Sequence, residues 1–283
     1  MRAVADQRNH FRTVFLLWVA LSVVGVLVTV FVIGPGLPPG EASDQAHGQV
    51  IDNTVLLAVS APLIAAVLAG GGYSLWMFRE RRADVIRDGP AIRGDSSVQY
   101  WWIAKTSLVV VVLASYGSIR LLQDGAGGGQ GPTPLSTPAA FKNHPLQVQV
   151  VAQQWQFTYR YPGYGGVETA QLELPADSPV EFHVTSLDVI HSFWAYELGV
   201  KADANPGEDN VAYVQTRGPV TFHVRCAELC GVWHGYMFNT GRVVPKTRFT
   251  TWIADQQRQY RPATSKLPGY SRSYFPQPLR RGG

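Results

Sequence analysis

The chain has 283 residues, enough for more than one structural unit, and only 16% of them are charged, against roughly 25% in soluble domains. Its net charge of +4 is not a nucleic-acid footprint: residues 145–255 carry seven Lys/Arg against eleven Asp/Glu, while residues 256–283 carry six against none. A nucleic-acid binder places its basic excess on the folded domain, and two cysteines, Cys226 and Cys230, are too few for a disulfide scaffold.

The charge deficit lies in three apolar runs. Thr13 to Ile33 is uncharged over 21 residues, long enough to cross a bilayer core of about 30 Å, and Gly34-Pro35-Gly36 ends it. It exceeds the roughly 7–15 apolar residues of a secretory leader, and no small-x-small cleavage site follows directly, so a retained span is expected rather than a leader. The second run, Val55 to Phe78, contains Pro62 and Gly70-Gly71-Gly72, which bilayer helices tolerate. The third, Ile103 to Leu122, follows the interfacial pair Trp101-Trp102 and holds Lys105 near enough to its start to snorkel. Residues 1–123 thus read as a helical membrane anchor. The loop from Gly34 to Asn53 has no Lys or Arg, whereas that from Arg79 to Val98 has five Arg. The positive-inside rule predicts a multi-pass plasma-membrane protein with a cytoplasmic N-terminus and everything after Leu122 outside.

A Gly/Pro-rich linker over 124–144 precedes a domain over 145–255. Strand character is expected at Leu146–Val151, Trp155–Tyr161, Glu168–Leu174, Val180–Thr185, Val211–Gln215, Val220–Arg225 and Thr247–Ile253, which suggests an all-β sandwich or barrel. The tail over 256–283 is basic and rich in Pro, Ser and Tyr, and is expected to run over a partner's surface.

The chemistry is concentrated in Cys226-Ala-Glu228-Leu-Cys230-Gly-Val-Trp-His234-Gly-Tyr-Met237, with His191 upstream in Asp188-Val-Ile-His191-Ser-Phe. Soft thiolate and thioether donors with imidazole select copper, zinc or iron, and the methionine argues against zinc. A mononuclear blue-copper site uses two His, one Cys and a weak axial Met; this set has one further cysteine. Two thiolates can bridge two coppers, leaving each with one histidine and one weak axial donor: Met237 for one, and for the other a backbone carbonyl between the cysteines, where Glu228 lies. Such a centre suits electron transfer rather than bond-making. The competing reading is a Cys226–Cys230 disulfide, plausible outside the cytoplasm but at odds with His234, Met237 and His191 beside it.

These motifs, with Gln154-Trp155-Gln-Phe, resemble subunit II of cytochrome c oxidases over roughly residues 50–255. The resemblance implies a membrane anchor carrying a cupredoxin-like barrel with the binuclear CuA centre. Its ligands would be His191, Cys226, Glu228 through its carbonyl, Cys230, His234 and Met237. It implies that the Glu228 carboxylate would also hold magnesium at the interface with subunit I. Trp155 matches the tryptophan through which family members receive electrons; from the residues alone it would read as core packing. The implied partners are subunit I, other oxidase subunits, the lipid membrane and a cytochrome c, soluble or membrane-bound. Departures stand out: Gln99 stands where many members carry a glutamate at a proton-channel mouth, the extra N-terminal span stands where many carry a cleaved signal sequence, and acidic residues such as Asp203, Glu208 and Asp209 are sparse. A copper-free quinol oxidase subunit II, which should have lost the ligand set, and a membrane-tethered copper-binding protein are the alternatives. Absence of Cys-x-x-Cys-His excludes a fused c-type haem. His183 and His223 alternate with apolar residues and read as strand histidines rather than ligands.

Overall fold

A computed structural model describes residues 2–79, 94–124, 141–142 and 144–264. The chain divides into two compact units, Met1–Leu37 with Ile51–Ser118 and Pro38–Val50 with Ile119–Gly283. Most of the Arg-rich loop and of the linker, and the tail beyond residue 264, lie outside the described residues.

Among the described residues, three helices are long and apolar enough to cross a membrane: Asn9–Gly36, Asp44–Met77 and Ser96–Gln123. The first is α1 (Arg2–Val28) continued by a π-helical turn at Thr29–Ile33, the second is α2 (Asp44–Met77), and the third belongs to α3 (Ser96–Asp124). The apolar run of α2 begins well after its first turn because polar residues lead it in. Helices α1 and α2 run antiparallel, and polar side chains mark the seam: Trp18 Nε1–H donates to the Pro62 carbonyl at 2.9 Å, and His10 Nδ1 meets Tyr73 Oη at 2.7 Å. Lipid offers no competing partner for such groups, which favours pairing between helices. On α3, Lys105 Nζ lies 5.9 Å from the Trp101 ring, the arrangement of a lysine reaching toward an interfacial aromatic.

The second unit is a sandwich of two five-stranded sheets. One has the order β3-β2-β1-β5-β8 and the other β4-β10-β9-β6-β7. The strands of the first are β1 (Leu146–Gln153), β2 (Gln156–Tyr161), β3 (Val167–Thr169), β5 (Pro179–Ser186) and β8 (Asn210–Gln215). Those of the second are β4 (Leu172–Pro175), β6 (His191–Ala195), β7 (Val200–Ala204), β9 (Val220–Cys226) and β10 (Phe238–Val244). Alternation puts Val148, Val150 and Ala152 of β1, Phe182 of β5, and Phe222 and Val224 of β9 inward, all fully buried. Phe193 sits at their centre, its ring 5.2 Å from Phe182 and 5.9 Å from Phe157. Gly241 of β10 is required by this packing: a Cβ there would lie 2.2 Å from Phe222 Cζ.

Two expectations are corrected. Thr247–Ile253 is not a strand but part of helix α4 (Lys246–Thr264). Its β-branched threonines mislead, because Thr250 and Thr251 hydroxyls bond back to the carbonyls of Lys246 and Thr247. Phe249, Trp252 and Ile253 share one face at helical spacing and close the end of the core against Tyr161 and Tyr164. Glu168–Leu174 is likewise two strands. The Gln171 N–H bonds to Thr169 Oγ1 at 3.0 Å, turning the chain so that β3 joins one sheet and β4 the other. Strands β6, β7 and β10 were not anticipated, since tight turns at Tyr196–Leu198 and Asn205-Pro-Gly207 and the Asn239-Thr-Gly241 segment disguise them.

Candidate metal centre

The donor set assembles where β6 and β9 run side by side. Phe193 of β6 pairs with Cys226 of β9, which brings His191, two residues earlier, to the mouth of the sandwich above the cysteine. A turn aims the histidine: Asp188 and Val189 N–H groups bond to Ser186 Oγ and Asp188 Oδ1, at 3.2 and 2.7 Å. The Cys226 N–H then bonds to the Met237 carbonyl at 3.0 Å, so the chain leaves β9, loops, and returns into β10 at the methionine. Between them the His234–Tyr236 turn is closed by His234 N–H to Gly231 O and Met237 N–H to His234 O, both 3.1 Å.

The result is a compact group of soft donors. Cys226 Sγ lies 3.8 Å from His191 Nδ1, 3.7 Å from Cys230 Sγ and 3.2 Å from the Glu228 carbonyl. Cys230 Sγ lies 3.5 Å from His234 Nδ1 and 3.8 Å from Met237 Sδ. His191 and Met237 are buried, both cysteines are buried and free, and His234 is half-buried. The sulfurs are too far apart for a disulfide, whose bond is about 2.05 Å. With thiolate–metal bonds of about 2.3 Å, sulfurs at this separation can share a metal between them. His191, Cys226 and Cys230 form the one group of three or more metal-ligating His, Cys, Asp or Glu side chains among the described residues.

Charge and hydrogen bonding prepare the donors. Burial pushes the Cys230 thiol up to about 12, with Cys226 adding to the rise, so a bound cation is what would hold this sulfur as a thiolate. His191 Nε2–H donates to Asp188 Oδ1 at 2.8 Å, which fixes the tautomer and leaves Nδ1 facing Cys226 as an acceptor. The sequence signal for this role of Asp188 is a carboxylate three residues before a histidine of the donor set.

The remaining candidates fall as follows. Trp155 is half-buried against the core and its Nε1–H donates to the Cys230 carbonyl at 3.1 Å, so it contacts the cysteine loop directly. The Glu228 side chain is exposed. His183 lies on β5 with Asp209 at 2.8 Å and Glu181 at 3.4 Å, and His223 on β9 with Glu197 at 2.6 Å.

Residues 167–244 match the family described as cytochrome C oxidase subunit II, periplasmic domain. Cytochrome c oxidase subunit 2 of Thermostichus vulcanus is 29% identical over 280 residues, covering 82% of this chain and 84% of the relative. That of Synechocystis sp. is 27% identical over 270 residues, covering 82% and 80%. Over most of its length the chain is similar to cytochrome c oxidase subunit 2, and its β-sandwich matches the periplasmic domain of that subunit. Among solved structures, the periplasmic domain of subunit II of cytochrome oxidase from Bradyrhizobium japonicum is 28% identical, with a TM-score of 0.39, over 41% of this chain and 95% of that one. That similarity implies a role in an oxidoreductase complex, in association with other oxidase subunits. The chain is a membrane protein with an extracytoplasmic domain, and its cysteine–histidine–methionine cluster suits copper.

Proposed function

We propose that this subunit accepts electrons from cytochrome c at a two-copper centre and passes them toward haem in subunit I, where oxygen is reduced and protons are translocated. Cys226 and Cys230 would bridge the two coppers. His191, His234, Met237 and the Glu228 carbonyl would hold them from the two sides of that pair. Bound there, the coppers would supply a one-electron relay that changes geometry little. The observation that carries the reading is the donor pattern: the two sulfurs lie 3.7 Å apart, with an imidazole Nδ1 within 3.8 Å of each and a weak axial donor beside each.

The protein's own part is to hold that pattern rigidly and to bring electrons to it. Rigidity comes from the paired strands and the hydrogen-bonded turn. Entry is assigned to Trp155, whose indole packs on the rim and bonds to the Cys230 carbonyl, a short covalent step from the Cys230 sulfur. Around the rim, Leu229, Val232, Trp233 and Tyr236 are exposed apolar side chains, a surface suited to protein contact rather than to water. The second function considered, a copper-free quinol oxidase subunit, is disfavoured because the full donor set is present and assembled. The plasma membrane, the cytoplasmic N-terminus and the extracytoplasmic copper site belong to this same reading, following the arginine asymmetry of the loops.

The test is rapid mixing of the copper-loaded full-length chain with reduced cytochrome c. The native chain should oxidise the cytochrome, and Trp155→Phe should slow that reaction at least tenfold while leaving the bound copper unchanged. Equal rates in the two proteins would remove Trp155 from the electron path.

A further inference from the structure

The hydrogen bonds around the centre converge on a residue that offers no donor to a metal. Gln154 occupies the tight connection between β1 and β2. Its backbone N–H donates to Asp188 Oδ2 at 2.7 Å, and the other oxygen of that carboxylate receives His191 Nε2–H at 2.8 Å. Its side-chain amide donates to the Cys230 carbonyl at 2.9 Å. One residue therefore reaches both sides of the cluster, the histidine through Asp188 and the cysteine loop directly.

The Cys230 carbonyl is doubly engaged, because Trp155 Nε1–H donates to it as well, at 3.1 Å. A carbonyl oxygen has two lone pairs, and here both face N–H donors. The Glu228 carbonyl differs: it faces Cys226 Sγ at 3.2 Å and takes no backbone N–H among the described residues. Hydrogen bonding thus occupies the Cys230 carbonyl and leaves the Glu228 carbonyl beside the Cys226 sulfur. Gly231 makes the arrangement possible. Its φ of +113° favours glycine, and a Cβ there would lie 3.1 Å from Gln154 Nε2 and 3.3 Å from Trp155 Cζ2.

We propose that Gln154 is a positioning residue of the copper centre: it occupies the Cys230 carbonyl and braces the Asp188–His191 pair, so that Glu228 supplies the carbonyl donor. The assignment rests on the two-copper reading above. It belongs to the outer hydrogen bonds that orient metal ligands and set their donor strength. It makes Gln154 a determinant of the reduction potential without touching the metal.

The test uses the full-length chain carrying Gln154→Met, which keeps length and neutrality but cannot donate, alongside Gln154→Ala. Each loaded protein is assayed for copper content, its copper EPR spectrum and its redox equilibrium with a calibrated dye. Both variants should hold as much copper as the native chain, with an altered hyperfine pattern and a severalfold change in the redox equilibrium constant. A lower melting temperature with native spectrum and native redox equilibrium would overturn the proposal, since a residue serving only the fold would behave that way. A native chain that binds a single copper would instead bring down the two-copper reading, and this assignment with it.

Discussion

The metal centre is built from two unlike halves. His191 and Cys226 ride on neighbouring strands of one sheet, their spacing fixed by the Phe193–Cys226 pairing and by the aromatic core beneath. Cys230, His234 and Met237 hang instead on a twelve-residue segment held by one 3-10 turn and by the bonds to Gln154 and Trp155. The strand-borne half is finished when the sandwich folds. The loop-borne half holds a buried thiol whose proton must leave when metal binds, so metal and loop complete each other. Of the side chains that would donate to metal, only His234, on the loop side, is half-exposed.

The contrast can be broken most severely at the bridge. Cys226→Ser replaces a soft bridging thiolate by a hydroxyl on the rigid half, and copper content measured by elemental analysis should fall below one per chain while the β-sandwich still folds. A centre that keeps its native copper content and spectrum in this variant would contradict the bridging role. A second break strikes the frame of the strand-borne half. Gly241→Ala drives a methyl into Phe222 between β9 and β10. Overpacking of this kind costs about 1–3 kcal/mol, and thermal unfolding should show a melting temperature lower by several degrees, with the loop-borne donors of the folded fraction giving an unchanged copper spectrum.

The smallest effect concerns the sheet away from the centre. Burial disfavours the charged His183 ring, but the carboxylates of Asp209 and Glu181 outweigh it and raise the histidine to about 9. A raised folded value means stability that is fully present below the unfolded value of about 6.5 and lost as pH rises through the folded one. Urea unfolding between pH 6 and 9.5 should therefore show His183→Ala losing its disadvantage against the native chain toward the alkaline end. A gap between the two that widens with pH would reverse the assignment.

Much of this was legible in the sequence, for identifiable reasons. The donors of the loop lie within one short segment, and the choice of two thiolates, imidazole and thioether names a soft metal before any fold is known. The three apolar helices follow from length and composition alone. What escaped was set by tertiary contact. Strands β6 and β10 carry His191 and the return from Met237, yet their turn-forming residues hide them until pairing with β9 is seen. Helix α4 reads as a strand in sequence because Thr247, Thr250 and Thr251 suggest one, while the Phe249, Trp252 and Ile253 face becomes decisive only against Tyr161. The bracket of Gln154 and Asp188 joins residues 34 apart in the chain, and no local pattern reveals it.

Counting copper in the full-length chain, expressed without other oxidase subunits and purified in detergent, tests the central claim most directly. Elemental analysis should return two coppers per chain, and EPR of the oxidised protein should show one unpaired electron shared equally between both nuclei. One copper per chain, with the hyperfine pattern of a single nucleus, would contradict the account.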